Sequence, residues 1–161
     1  MNTELIYLDH AAATPIDPRV LAAMQPYFSD AFYNPSSPYA PAIVVRRDYD
    51  EAKHTLAQAI GAKPDELIIT AGATESINLA FHSVSGHVVV PSIEHHAVLA
   101  AAKQHDHTIV AVDPKGMVSA QTIKDAITEH TQLVSVAIAN NELGTIQPLR
   151  DIAQVIRIER E

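Results

Sequence analysis

Short, nearly continuous apolar runs recur through the second half of the chain, separated by longer segments in which apolar residues return with helical periodicity. Such runs predict strands that are buried on both faces. They occupy residues 67–69, 88–90, 108–112 and 133–138. The intervening segments, residues 74–82, 96–104 and 119–129, have the length of crossover helices, with Ser119 as the expected cap of the last one. Because such connections are right-handed, the pattern predicts an α/β fold with a mostly parallel sheet and crossover helices.

Helical periodicity is also found on both sides of this region. Asp17 and Pro18 supply a cap and a first-turn proline, which predicts a helix that continues to about residue 28. Turn-forming residues at 34–38 precede a long predicted helix over residues 46–59. A last helix is predicted after residue 148. Since a helix in such a fold normally crosses over to another strand, we expect a sheet that lacks its next strand.

Composition narrows the classes of function. The chain has 161 residues, enough for one sizeable core or one large layer of a bigger domain. Its 19 acidic and 11 basic residues give a formal charge of −8, which argues against binding to nucleic acid or to anionic lipid. No segment has the length of a membrane span, and the N-terminus lacks the pattern of a signal peptide, so we expect a cytoplasmic protein. The absence of cysteine excludes disulfides, thiolate metal sites and a cysteine nucleophile within this stretch.

Three loops follow the predicted strands, at the sheet edge where ligands of open α/β folds bind. They span residues 71–76, 91–96 and 140–144. In the first, Gly72 allows close approach of the backbone, and Ala73 and Thr74 begin a helix whose free N–H groups and hydroxyl suit a phosphate. The loop is neither a P-loop nor a dinucleotide-binding fingerprint. A plain glycine turn capped by Thr74 is the alternative.

The other two loops carry an imidazole and amides. The ring of His95 is placed to lie flat on a heteroaromatic cofactor, with His96 pointing elsewhere, although a lone histidine is more often structural. A zinc site at residues 94–96 is disfavoured, because adjacent ligands on a helix diverge and no third ligand has convincing spacing; we predict no metal. The amides of Asn140 and Asn141 either form a turn or reach a ring oxygen or a substrate carboxylate.

Five motifs, taken together, resemble one family in their order and approximate spacing. They are YLDHAAATP at 7–15, NPSS at 34–37, GATES at 72–76, EHHAV at 94–98 and NNELG at 140–144. In these motifs the chain resembles the cysteine desulfurases, which belong to the class V aminotransferase group of fold-type I pyridoxal-phosphate enzymes. The resemblance implies that this chain is the N-terminal portion of such an enzyme, since family members are more than twice as long.

The resemblance also implies roles for single residues. Ala73 and Thr74 would bind the phosphate of pyridoxal 5'-phosphate. His95 would stack on the pyridine ring and act as the catalytic residue for proton transfers, and Asn141 would lie near the ring oxygen or the substrate carboxylate. Four further residues would help to form the mouth of the substrate site: Ala11, Ala12, Thr14 and Asn34.

The same resemblance implies the organisation and the reaction. Residues 1–15 would belong to a small domain at the mouth of the site, and residues 16–161 to a partial cofactor-binding large domain. L-cysteine would give up its sulfur to an enzyme cysteine, leaving alanine, and the sulfur would pass to an acceptor or scaffold protein for iron-sulfur cluster or thio-cofactor assembly. The chain would pair as a homodimer or with a C-terminal half-chain.

Departures from the family pattern qualify this expectation. The lysine that holds the cofactor and the cysteine that carries the sulfur belong to the part of the family beyond Glu161, so we expect this chain alone to be inactive and to hold the cofactor by phosphate contacts and stacking alone. Tyr39 and Ala42 stand where the family usually has histidine and glycine. Two alternatives stay open: a selenocysteine lyase or another class V aminotransferase, and a non-catalytic remnant that binds a phosphate ligand or a partner protein.

Overall fold

The computed structural model describes residues 6–158 and divides the chain into two compact units, Met1–Ile69 and Thr70–Glu161. The first unit is helical in its described part. Its elements are α1 (Pro18–Met24), α2 (Pro26–Ser29), α3 (Ala40–Ala59) and a 3-10 turn (Pro64–Glu66).

Local chemistry explains where the first helices begin and end. The Asp17 carboxylate caps α1 by accepting a hydrogen bond from the Arg19 N–H at 2.8 Å, and Pro18 occupies the first turn, as the sequence predicts. The predicted single helix to residue 28 is divided at Gln25, because Pro26 has no N–H to continue the ladder and begins α2 instead.

The long helix α3 begins six residues earlier than its charged and alanine-rich segment predicts. Pro41 lies in its first turn, where a missing N–H costs no intrahelical hydrogen bond, so the proline favours this start. The helix ends near Ile60, and Gly61 follows with a φ of +70°, a left-handed conformation that favours glycine.

The predicted strand over residues 67–69 is wrong. No strand of the described chain pairs with this segment, and the side chains of Ile68 and Ile69 are 72% and 54% exposed. An apolar run marks a segment that gains from burial, but a strand also requires a neighbouring strand for its backbone groups.

The second unit contains a parallel sheet of three strands. They are β1 (His87–Pro91), β2 (His107–Val110) and β3 (Thr131–Val134), in the order β2-β1-β3. The predicted parallel α/β architecture is therefore confirmed. β2 and β3 are shorter than their apolar runs, and beyond Val134 the chain forms an isolated antiparallel bridge between Ala139 and Ile146.

Four helices complete the described part of this unit. They are α4 (Ala73–His82), α5 (His96–Ala102), α6 (Ala120–Ala126) and α7 (Leu149–Ile158). The predicted cap is present, since the Ser119 hydroxyl accepts from the Thr122 N–H at 2.9 Å. α6 ends before its predicted limit, because Ile127 already has an extended backbone.

The sheet is covered on both faces, and β1 supplies the centre of both layers. Successive side chains of a strand point to opposite faces, so Val88 and Val90 pack with α4 and α5, whereas Val89 packs with α6 and α7. All three valines are fully buried. Because complete burial of such a side chain contributes about 1.5–3 kcal/mol, β1 is the principal core strand of the unit.

Across residues 6–158, no helix combines the length and hydrophobicity needed to cross a membrane.

Candidate functional site

Three loops of the second unit lie at the carboxyl edge of its sheet. We call residues 70–76 loop A, residues 92–95 loop B and residues 138–147 loop C. Loop B leaves the carboxyl end of β1, and loop C follows β3. α4 precedes β1 in the chain, α5 follows it, and the two helices pack against each other. Because each helix runs antiparallel to β1, the N-termini of both helices lie at this edge. This is the edge at which parallel α/β sheets bind ligands.

Loop A is held by its own hydrogen bonds, and these leave the first N–H groups of α4 without an acceptor in the described part of the chain. The hydroxyls of Thr70 and Ser76 are hydrogen-bonded at 2.7 Å, and the Glu75 carboxylate accepts from the Ala71 N–H at 2.7 Å. Among the described residues, nothing accepts from the N–H groups of Ala73, Thr74 or Glu75. These donors and the positive end of the helix dipole therefore remain available to an anion.

Gly72 adds space at the same point. Its φ of 165° is extended and open to any residue, so strain does not require glycine. A Cβ built at this position would meet no heavy atom within 4 Å. The close approach predicted for Gly72 is therefore not made by the described chain itself, and the space beside the free N–H groups fits a phosphate.

His95 caps α5 with its own side chain. Its Nδ1 accepts from the Ala97 N–H at 3.2 Å, so that nitrogen carries no proton in this arrangement. The expectation that His96 points away is wrong: the two ring centroids are 3.9 Å apart with planes tilted by 39°. Both residues are exposed at the start of α5, and the His96 ring packs against the His95 ring.

Glu94 has a role that sequence reasoning missed. Its side chain is turned inward, the residue is only 9% exposed, and Oε1 accepts from the Ala137 N–H at 2.7 Å. Burial raises the pKa of this carboxyl above its ordinary value, while the hydrogen bond from the Ala137 N–H acts in the opposite direction. The only signal in the sequence was a charged residue shortly after a buried strand.

The two neighbouring asparagines of loop C differ in function. The Asn140 Nδ2 donates to the Ile93 carbonyl at 2.8 Å, and its Oδ1 accepts from the N–H groups of Glu142 and Leu143 at 2.9 and 2.8 Å. Asn140 thus forms the turn that the sequence offered as one alternative. Asn141 is exposed, and no hydrogen-bond partner of its amide is found within residues 6–158. Of the two amides, that of Asn141 is the one free to meet a ligand.

Sequence reasoning also missed Gln147, the last residue of loop C, which joins this loop to the turn at residues 113–117 and to Val118. Its buried amide accepts from the Val118 N–H at 3.0 Å and donates to the Gly116 carbonyl at 2.8 Å. Gly116 has a φ of +77°, and a Cβ there would lie 2.7 Å from a methyl carbon of Leu143. The turn at residues 113–117 therefore packs closely under loop C, which restricts its position.

The predicted substrate residues belong to the first unit. Ala12 and Ala13 donate their N–H groups to the Asp9 carbonyl, and Tyr7 donates its hydroxyl to the Asp9 and Ala13 carbonyls. Asn34 forms the predicted turn, with Oδ1 accepting from the Ser36 N–H at 2.9 Å. All four predicted residues, Ala11, Ala12, Thr14 and Asn34, are exposed.

The positions of the possible metal ligands and of the lysines limit the chemistry of the three loops. Residues 6–158 contain no group of three His, Cys, Asp or Glu side chains arranged to hold a metal ion. The lysines lie in helices, helix caps or turns: Lys53, Lys63, Lys103, Lys115 and Lys124. Loops A, B and C contain none of them.

Comparison with protein families decides the classification. The family described as Aminotransferase class-V matches residues 6–160. The chain belongs to the class-V aminotransferase family. Class-V aminotransferases are pyridoxal-phosphate-dependent enzymes, which agrees with the resemblance found in the sequence.

Relatives of this class-V aminotransferase chain include IscS 1 of Bacillus subtilis (strain 168), which is 42% identical over 166 residues, covering 96% of the chain and 44% of the relative. The cysteine desulfurase IscS of Rickettsia africae (strain ESF-5) is 40% identical over 165 residues, covering 94% of the chain and 40% of the relative. The chain thus spans less than half the length of these relatives and matches their N-terminal part.

Solved structures agree with this classification of the fold. A structure described as SspA in complex with cysteine superposes with a TM-score of 0.90 at 36% identity, over 96% of this chain and 48% of that one. A NifS-like protein gives a TM-score of 0.85 at 32% identity, over 92% of this chain and 44% of that one. The expected fold, the N-terminal part of the large domain of a fold-type I pyridoxal-phosphate enzyme, is confirmed.

Proposed function

We propose that this chain forms the pyridoxal 5'-phosphate-binding part of a cysteine desulfurase, a sulfurtransferase that takes sulfur from L-cysteine and leaves alanine. The observation that carries the proposal is that three features lie at the same edge of the sheet. They are the free N–H groups of α4, the exposed ring of His95 and the unpaired amide of Asn141.

The start of α4 is the proposed phosphate site. The N–H groups of Ala73 and Thr74 donate to phosphate oxygens, the Thr74 hydroxyl adds a third donor, and the space beside Gly72 admits the group. The helix dipole favours the dianion. The carboxylate of Glu75 is hydrogen-bonded to the Ala71 N–H and to none of these donors.

His95 and Asn141 are the proposed contacts to the ring. One face of the His95 imidazole lies against His96, and its other face stacks on the pyridine ring. Because Nδ1 accepts from the Ala97 N–H, the neutral ring carries its proton on Nε2, the nitrogen that is free to exchange protons with the substrate. The Asn141 amide donates to the ring oxygen or to the substrate carboxylate. When bound, the cofactor supplies the electron sink for the reaction.

L-cysteine is the proposed substrate. Relatives of this chain are named cysteine desulfurases, and one structural neighbour is described as a complex with cysteine. A role in substrate binding for Ala11, Ala12, Thr14 and Asn34 is proposed from the family resemblance. An acceptor or scaffold protein receives the sulfur for iron-sulfur cluster or thio-cofactor assembly.

We propose that this chain alone binds the cofactor but does not catalyse the reaction. Loops A, B and C contain no lysine, and the chain contains no cysteine to carry the sulfur. A C-terminal half-chain would supply the amine and the thiol, whereas a homodimer partner, which also contains no cysteine, would supply only further contacts to the site.

Titration of the full chain with pyridoxal 5'-phosphate, followed by fluorescence, tests the binding site. Thr74→Val and Gly72→Ala should each weaken binding about tenfold, because the first removes a hydroxyl donor and the second fills the open space. His95→Leu should weaken it similarly by removing the stacked ring. The matched control is His130→Leu, since this side chain is 79% exposed at the opposite edge of the sheet. Absence of binding, or equal binding by all four variants, would contradict the proposal.

A second measurement tests the reaction. The chain is mixed with the C-terminal part of a cysteine desulfurase relative, the cofactor, L-cysteine and dithiothreitol, which reduces the enzyme persulfide and releases its sulfur as sulfide, and alanine and sulfide are measured. Formation of both in equal amounts is expected. Turnover of selenocysteine alone would favour a selenocysteine lyase, amino transfer to a 2-oxo acid would favour an aminotransferase, and cofactor binding with no turnover of any kind would favour a non-catalytic remnant.

A further inference from the structure

Loops B and C are joined by side chains rather than by the sheet. The pairing of β1 with β3 ends at Val89 and Val134, and one more backbone bond runs from the Ser135 N–H to the Val89 carbonyl. Beyond it the two segments continue toward the site without ladder hydrogen bonds between them in the described structure. Something other than the ladder must fix the distance between His95 and Asn141.

Two hydrogen bonds of opposite direction bridge this gap. The Glu94 carboxylate of loop B accepts from the N–H of Ala137, which directly precedes loop C, at 2.7 Å. The Asn140 amide of loop C donates to the Ile93 carbonyl of loop B at 2.8 Å. Each segment thus supplies one side chain and one backbone group. Two such bonds restrict both the sliding and the rotation of one segment relative to the other, whereas one bond alone would still allow rotation.

Both bridging residues are themselves held in place. The Glu94 residue is almost completely buried, so its side chain cannot turn to solvent without opening the loop. Asn140 uses its oxygen to accept from two N–H groups of its own turn while its nitrogen bridges the loops. Each also directly precedes an exposed residue of the proposed site: Glu94 precedes His95, and Asn140 precedes Asn141.

We propose that Glu94 and Asn140 are positioning residues, which together set the distance and orientation between the His95 ring and the Asn141 amide. This inference rests on the proposed function, because it assigns the pair to the cofactor site. It concerns the geometry of the two loops, which is measurable without the cofactor.

Three variants of the full chain separate the bonds from other effects. Glu94→Leu removes the acceptor for the Ala137 N–H, whereas Glu94→Gln keeps an oxygen that can accept. Asn140→Asp removes the donor to the Ile93 carbonyl and keeps the oxygen on which the turn depends. The matched control is Gln132→Leu, because the Gln132 oxygen accepts from the N–H groups of Ser85 and Gly86 at the opposite edge of the sheet.

Two readouts are used for each variant. The first is the dissociation constant for pyridoxal 5'-phosphate. The second is hydrogen exchange of the Ala97 amide, which reports on the His95 ring because this amide donates to Nδ1. Glu94→Leu and Asn140→Asp should weaken binding by about tenfold, the lower limit of what loss of an orienting partner costs at metal sites. Both should also speed exchange of the Ala97 amide, and Glu94→Gln should restore both readouts.

The outcomes distinguish the two proposals. If the unaltered chain binds no cofactor, the proposed function fails, and the exchange of Ala97 still decides whether Glu94 and Asn140 position His95. If the cofactor binds and depends on His95 but neither Glu94→Leu nor Asn140→Asp changes the readouts, the positioning role is wrong. Equal effects of Gln132→Leu would also overturn it, since they would indicate general loss of stability. If Glu94→Leu does not fold, Asn140→Asp decides.

Discussion

Pairs of adjacent residues with opposite exposure build the candidate site at the residue scale. An inward anchor and an outward functional group follow each other in Glu94 and His95, and again in Asn140 and Asn141. The anchor fixes the backbone from which the next side chain projects. Two consecutive residues on an irregular loop can thereby serve structure and chemistry separately.

The buried carboxyl of Glu94 predicts a dependence of stability on pH. Its folded-state pKa is raised by burial, whereas in the unfolded chain it titrates near its ordinary value of 4.5. Its contribution to the free energy of unfolding is therefore fully present below that value and is lost as the pH rises through the higher, folded-state pKa. Glu94→Gln should abolish this loss and make the protein more stable at neutral pH, because the amide oxygen still accepts from the Ala137 N–H.

Urea denaturation at a series of pH values from acidic to neutral measures this effect. Glu129→Gln is the control, since the Glu129 side chain is 86% exposed and should change the pH profile little. If the profile of Glu94→Gln matches that of the unaltered chain, burial does not control the ionisation of Glu94.

Sequence alone predicted only part of this site. The location of His95 after β1 and of Ala73 at a helix start followed from local periodicity, because both depend on where strands end and helices begin. The bonds of Glu94 and Asn140 could not be predicted, since they join residues 43 and 47 positions apart. Contacts at such separations depend on the register of β1 and β3, which no local pattern specifies.

At the scale of elements, caps and prolines determine the helix ends more closely than hydrophobic periodicity does. Pro26 divides the first helix and Pro41 favours an early start of α3, and both effects follow from backbone chemistry. The failed strand at residues 67–69 shows the limit of this approach. A cap acts within a few residues, whereas a strand needs a partner from elsewhere in the chain.

The cap of α6 provides an element-scale prediction. Ser119→Ala removes the hydroxyl that accepts from the Thr122 N–H, and this should lower the free energy of unfolding by about 1 kcal/mol. Ser119→Asp should preserve most of the stability, because a carboxylate also caps and favours the helix dipole. The measurement is urea denaturation of both variants. Equal losses for alanine and aspartate would show that the cap contributes nothing.

At the scale of the whole molecule, the second unit depends on two apolar layers that share β1. Ile123 is fully buried in the layer formed with α6 and α7. Truncation to alanine leaves a cavity that rigid neighbours on the sheet cannot fill. Ile123→Ala should therefore lower the free energy of unfolding by about 2–5 kcal/mol, and Ile123→Val by about 0.5–1.5 kcal/mol.

Thermal and urea denaturation test this prediction. Ile68→Ala is the matched control, because the same truncation at this exposed position should change stability by less than about 0.5 kcal/mol. A loss at Ile68 as large as that at Ile123 would mean that the unpaired apolar segment is buried in solution, and the assignment of the core would need revision.

The central place of β1 also has a consequence for synthesis on the ribosome. One edge of this strand can pair with β2 as soon as residues 107–110 emerge, but its other edge waits for residues 131–134. At about 5–20 residues per second, the 24 residues from 111 to 134 take roughly one to five seconds to be made. During that interval the nascent chain presents one unpaired backbone edge of a strand whose centre is three valines, which makes this the stage at which chaperones have most reason to bind it.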